Sequence, residues 1–237
     1  MRSILILFMF TASLAGAAWD GYEEVRELSL DYRGIDVVSI EAGAGSLEIV
    51  GVSGATEILV TATIRVPERD AAKARKKIES DMILTLEKDS DKAVLKADFE
   101  QGMWRWGDSP SIELEVRMPE GLHLLVDDGS GSIDVSNVRG DITLDDGSGS
   151  IEMKDVGGNI KIDDGSGSIS VAGAGGDVSI NDGSGSIKVR GVAGSVIVDD
   201  GSGSIDVSDV EKDFIVVDDG SGGIDFSNIA GKVETES

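Results

Sequence analysis

Six near-copies of one phrase, Asp-Asp-Gly-Ser-Gly-Ser-Ile, recur down the second half of the chain, beginning at Asp127, Asp145, Asp163, Asn181, Asp199 and Asp218. The first five starts are 18 residues apart and the last step is 19. A fixed period of this kind makes each copy a unit that cannot bury its apolar face alone, so neighbours must stack. Within the first copy the apolar residues are Ile133, Val135, Val138, Ile142 and Leu144; the next has Ile151, Met153, Val156, Ile160 and Ile162. Two pairs per copy alternate strictly, the period of a strand with one buried face. The glycine density argues against helix. The pattern predicts an all-β, single-chain β-solenoid, parallel β-helix-like, whose 18-residue rungs carry two short strands and two turns. Columns of Ile and Val suit a narrow pleated core, and an aromatic content of 4% fits a core without room for large rings.

The first turn is Asp-Asp-Gly-Ser-Gly. The second reads Val138-Arg139-Gly140-Asp141-Ile142, and Gly140, Gly158, Gly176, Gly194 and Gly231 share one slot. Recurrent glycine there predicts a positive φ. The copy starting at Asp199 has one extra residue, expected as a bulged turn around Glu211–Phe214, with Ile215 and Val217 resuming the inward alternation. Two weaker copies precede the clean ones. One runs from Gly45-Ser46-Leu47-Glu48-Ile49 to Ile58 and Val60, the other from Ser111-Ile112-Glu113-Leu114 to Leu124 and Val126. Between them, Pro67–Asp81 reads as a helix with Asp70 as N-cap, and Met82–Leu86 with Ala93–Phe99 as a hairpin. This insertion is expected to cover the N-terminal edge of the stack. The predicted organisation is a leader over 1–17, a β-rich region over 18–110 and the repeats over 111–237.

Arg2, the apolar run Ile4–Leu14 and Ala15-Gly16-Ala17 have the form of a secretory signal. That run is shorter than the roughly 20 residues a spanning helix needs. The chain is therefore expected to be exported, to the periplasm, the cell surface or beyond, with no transmembrane segment after cleavage. It has no Cys, so an exported fold cannot lean on disulfides. With 45 acidic against 21 basic residues and a formal charge of −24, it repels nucleic acid and anionic lipid and favours cations or basic partners.

In-register rungs place Asp127, Asp145, Asp163, Asp199 and Asp218, with Asn181, in one column, and Asp128, Asp146, Asp164, Asp182, Asp200 and Asp219 in a second. Like charges about 5 Å apart repel by roughly 1 kcal/mol in water and more near a protein surface. Turn N–H groups, Ser hydroxyls such as Ser130 and Ser132, or bound cations could offset this. These carboxylates are the candidate cation edge, calcium being the candidate ion. Asx-type turn caps on a solvated acidic rim are the competing reading. An EF-hand is excluded, because its first and twelfth ligand positions would be Val126 and Asn137. Nothing resembles an enzyme: Gly-Ser-Gly lacks the nucleophile elbow, and an active site would single out one rung. The lone His, His123, lies in a turn read as non-repeating and is expected at the surface. Met103-Trp104-Arg105-Trp106-Gly107 is the one aromatic patch, expected to pack the insertion onto the solenoid.

The early Gly-Ser-Leu-Glu-Ile copy, the helix-containing insertion, Met118-Pro119-Glu120-Gly121 leading into the repeats and the serial Gly-Ser-Ile-x-Val strands together resemble a bacterial family. Its members are β-strand-repeat proteins regarded as candidate adhesins, a domain of unknown function. The resemblance spans the chain beyond the leader and implies a non-enzymatic envelope or surface protein that contacts another protein or a glycan. The regular Asp-Asp pairs depart from that family's pattern. The expected function is an adhesion or protein-interaction surface; the alternative is a calcium-binding structural module of the envelope. Ile197 and Val216, read as adjacent and exposed, would begin a sticky patch. The open C-terminal edge is a candidate for self-association.

Overall fold

The computed structural model describes residues 21–100 and 109–235. The leader at 1–17 and the patch around Trp104 and Trp106 lie outside the described residues. The described chain is a parallel β-solenoid whose rungs each place one strand on each of two faces. The clean rungs are β8 (His123–Ser136), which bends through both faces, then β9 (Ile142–Asp146) with β10 (Gly149–Val156), and β11 (Ile160–Asp164) with β12 (Gly167–Ala174). β13 (Val178–Asp182) with β14 (Gly185–Val192), β15 (Val196–Asp200) with β16 (Gly203–Val210), β17 (Phe214–Asp219) with β18 (Gly222–Ile229), and a short β19 (Val233–Thr235) follow.

The register is the one the 18-residue period requires. Ile151 pairs with Ile133 above and Ile169 below, and Ile187 and Ile205 continue the column. On the other face Ile142, Ile160, Val178 and Val196 stack in turn. All of these are buried. The backbone ladder continues around the first corner: Gly147 N–H donates to Asp128 O at 3.0 Å, and Gly149 N–H to Ser166 O at 2.9 Å. No corner N–H in that pair is left to water, which is why so short a strand can be stable in this setting.

Two glycine slots behave differently from the sequence expectation. Gly140, Gly158, Gly176, Gly194 and Gly231 do not have positive φ. A Cβ at Gly158 would come within 2.6 Å of the Gly140 backbone, so close approach of adjacent rungs favours glycine there. Lys212 fills that slot in the rung after Gly194. The left-handed residue lies three positions earlier, at Asn137, Asp155, Gly173, Gly191, Asp209 and Asn228, with φ between 54° and 82°. Asn, Asp and Gly are the residues that enter this region at least cost.

The N-terminal region interleaves with the stack. β1 (Tyr22–Asp31), β2 (Val37–Ala44), β3 (Leu47–Val52) and β4 (Glu57–Val66) lead to α1 (Ala71–Asp81), then β5 (Met82–Asp89), β6 (Lys92–Phe99) and β7 (Ser111–Pro119). β2 and β3 form a complete rung on top of β8, with Val38 over Leu124 and Leu47 over Ile133. β6 and β7 form the rung above that. The Ile58/Val60 segment is therefore not the second half of the first rung. It belongs to β4, which runs antiparallel between β7 and β1. Nor is 111–126 one rung: Leu114 and Val116, not Ile112 and Leu114, lie over Leu47 and Ile49, and the chain steps past a level before β8. The long separation of β3 from its partners hides this threading from a local reading.

β5 pairs antiparallel with β6, and Asp70 caps α1 by accepting from Ala72 and Lys73 N–H at 3.0 and 3.1 Å. Ile78 of α1 joins the core, and the Arg75 guanidinium lies over the Tyr22 ring. Beyond the N-terminal rung, β4 and then β1 continue one face and β5 the other, so α1 and β5 of the insertion share the covering of that end with β1 and β4, which lie outside it.

Candidate functional site: the aspartate corner and the open end

The two aspartate columns form as expected and then differ sharply. Asp127, Asp145, Asp163 and Asp199 are exposed, and Asn181 Nδ2 donates to Asp163 Oδ1 at 3.3 Å. Asp218 and Asp219 continue the columns below Asp199 and Asp200. In the second column Asp128, Asp146, Asp164, Asp182 and Asp200 are only 1–3% exposed. The solvated rim thus holds for one column alone. Strand alternation turns the other inward, toward the corner of the core.

Four of the five buried aspartates cap their own turns. Asp146, Asp164, Asp182 and Asp200 Oδ1 accept from the N–H two residues on, at Ser148, Ser166, Ser184 and Ser202, at 3.1–3.2 Å. This is the Asx geometry. The other oxygen, Oδ2, has no donor in any of the five, and Asp219 Oδ1 has none either. Burial dominates the electrostatics. It pushes Asp128 up to about 7, with the Asp146 charge adding to it. Asp146 and Asp182 rise to about 6, held back by the Ser148 and Ser184 N–H bonds. Asp164 and Asp200 shift in the same direction for the same reason. Among the described residues no three Asp, Glu, His or Cys side chains converge as a metal-ion site.

The second corner carries a ladder that the sequence did not reveal. Along it a side-chain acceptor of one rung takes the backbone N–H of the next at all but the Ser195 step. Asn159 N–H donates to Asp141 Oδ1 at 2.8 Å, Asp177 N–H to Asn159 Oδ1 at 2.9 Å, Ser195 N–H to Asp177 Oδ1 at 2.8 Å, and Lys232 N–H to Asp213 Oδ1 at 2.8 Å. His123 heads this series: its Nδ1 accepts from Asp141 N–H at 3.0 Å. The residue is exposed, as expected, but it occupies a repeating position. The signal was available as an 18-residue recurrence of His, Asp, Asn, Asp, Ser and Asp just before the core strand. Asp177→Ala should cost about 0.5–1 kcal/mol, because the bond is exposed, while Asp177→Asn retains most of it. Urea unfolding midpoints of the two variants check this.

Among the described residues the core is only partly covered at β18 and β19. Phe226 is 49% exposed, and Ile224, Ile229 and Val233 are only partly covered. Phe226 packs against Phe214, ring centroids 6.0 Å apart. The extra residue lies in β17 rather than in the preceding turn: the register slips between Val198 and Asp199. Phe214 and Val216 point into the core, both fully buried, and Val217 is the outward bulge, 50% exposed. The expected Ile197/Val216 patch is corrected accordingly. Ile197 lies beside Ile215, and with Val217 they make the apolar patch.

No family model matches the chain, and no curated protein does. Among solved structures it is similar to a candidate adhesin from Bacteroides fragilis, at 10% identity over 90% of this chain and 97% of that one, with a TM-score of 0.49. A candidate lipid-binding protein from Parabacteroides distasonis matches at 15% identity over 92% and 98%, TM-score 0.46. A candidate cell adhesion protein from Clostridium sporogenes matches at 10% over 91% and 98%, TM-score 0.37. Among the described residues no helix is long and apolar enough to cross a membrane.

Proposed function

We propose that the chain is an exported, non-enzymatic β-solenoid that presents the edge of β18 as an adhesion or protein-interaction surface. The supporting observation is the asymmetry of the two ends. β1, β4, β5 and α1 cover the N-terminal end, whereas β18 leaves Ile224, Phe226 and Ile229 partly bare among the described residues. The occupant that fits is an extended segment of an envelope or extracellular protein, added as a strand along β18. Exposed Asp218, Asp225 and Glu234 favour a segment with Lys or Arg beside its apolar positions. A second copy of this acidic chain meets like charge at the same edge.

The test compares retention of the purified chain on cells of its own source with that of Val217→Lys/Phe226→Lys. Retention should fall at least about tenfold in the variant and weaken with added salt. Sedimentation of the unliganded chain should show a monomer. Equal retention of both proteins, or turnover in a screen of acidic and neutral glycans, would count against this reading.

A further inference from the structure

The buried aspartate column has a geometry that no ordinary turn cap needs. Five carboxylates stack in register on successive parallel strands, about 4.8 Å apart. One oxygen of each is spent on its own turn in four of the five, and the other is enclosed without a donor in all five. Above Asp128 the column ends at Ala42, and above that at Ala97. The charged groups acting on it are all acidic. They are its own members, the exposed Asp127, Asp145, Asp163 and Asp199 next along each strand, and Asp219 at the base. Asp98 lies at the top of the same corner, against Gly43. Lys96 is near in sequence but is engaged with Glu41 on the exposed side. An unpaired buried charge is far costlier than a neutral carboxyl.

We propose that Asp128, Asp146, Asp164, Asp182 and Asp200 form a proton-binding column: folding draws protons from water onto the donorless Oδ2 atoms, so the stack tightens in acid and loosens in alkali. Each proton removes one of a pair of stacked buried charges. Convergence on a cation would satisfy the same oxygens, but among the described residues no three ligands meet.

The sign follows from the direction of the shifts. Folded-state values lie above the ordinary aspartate value of 3.8, at about 6 for Asp146 and Asp182 and about 7 for Asp128. The folded state therefore binds more protons than the unfolded one between those limits. The contribution is fully present below the unfolded value and is lost as pH rises through about 6 to 7. This is opposite to the usual acid lability of paired carboxylates.

Thermal midpoints of the full chain measured from about pH 8 down to about pH 5 should rise by roughly 5 °C or more. Asp146→Asn/Asp164→Asn/Asp182→Asn should flatten that rise and lift the midpoint at about pH 8 by a similar amount. The exposed-column control, Asp145→Asn/Asp163→Asn/Asp199→Asn, removes equal charge and should keep the rise. If the buried triple variant does not fold, Asp164→Asn alone and the infrared band of protonated carboxyl in the native chain near neutral pH replace it. That band should be present in the native chain and weaker in Asp164→Asn. A midpoint that falls on acidification, an equal pH slope in both triple variants, or no protonated-carboxyl band overturns the proposal. So does a calcium-dependent gain in midpoint that the buried triple variant abolishes, which would assign the column to a cation.

Discussion

Gly167→Ala should break the stack at its middle, with a loss of about 3 kcal/mol or more. Gly167 has φ +151°, a backbone conformation that side chains rarely adopt. A Cβ there would be driven into the carbonyl oxygen of Gly149 on the rung above. That carbonyl is backbone within a ladder, so it cannot swing aside. Moving it would also disturb Gly149 N–H, which donates to Ser166 O at 2.9 Å. Since each rung contacts only its neighbours, the damage should uncouple the rungs below from those above. Gly191→Asn is the contrasting substitution. Gly191 has φ +69°, and a Cβ there would make only ordinary van der Waals contact with the Gly173 backbone, in a slot that Asn137 and Asn228 already fill. It should change stability by less than about 1 kcal/mol. Urea unfolding measures both, and a native midpoint for Gly167→Ala would refute the contact.

Ile169→Asp should be of similar severity, about 3–5 kcal/mol, since it leaves an uncompensated charge in the core. Ile169 is 1% exposed between Ile151 and Ile187. Asp164, a few residues earlier and equally buried, is tolerated because Ser166 N–H caps one of its oxygens at 3.1 Å. At position 169 the strand's backbone groups are spent on the ladder and the side chain meets aliphatic neighbours. Ile169→Val should cost only about 0.5–1.5 kcal/mol by loss of a methylene. Circular dichroism melts distinguish the two, and an Ile169→Asp midpoint equal to that of Ile169→Val would contradict the buried column.

The stack itself was legible because Ile133, Ile151, Ile169 and Ile187 recur at one period and alternate with polar neighbours. Both are local signals. What failed depended on contacts between rungs. Gly140 and its equivalents were read as torsional, yet their constraint is the backbone of the adjacent rung. The left-handed slot went unnoticed because Asn, Asp and Gly alternate in it, so no single residue recurs. Val216 was placed outside because the extra residue was assigned to the turn, and a slip of one residue in a strand reverses every side chain. The second Asp of each pair looks as solvated as the first in a linear reading. Only the inward pleat of the strand separates Asp163 from Asp164. β2 and β3 slot between β7 and β8 through pairings far apart in sequence, and nothing in either segment announces the partner.

Vertical register over consecutive rungs is the claim on which the rest depends, and a cysteine-free chain allows it to be read directly. Ser186 and Ser204 are register partners whose hydroxyl oxygens lie 3.2 Å apart. Ser186→Cys/Ser204→Cys should oxidise to an intramolecular disulfide in the folded chain under mild conditions. Ser168→Cys/Ser204→Cys, two strand spacings or about 9.6 Å apart, exceeds the roughly 7 Å limit for bridging and should stay reduced. A disulfide in the second protein but not in the first would contradict the stacked register.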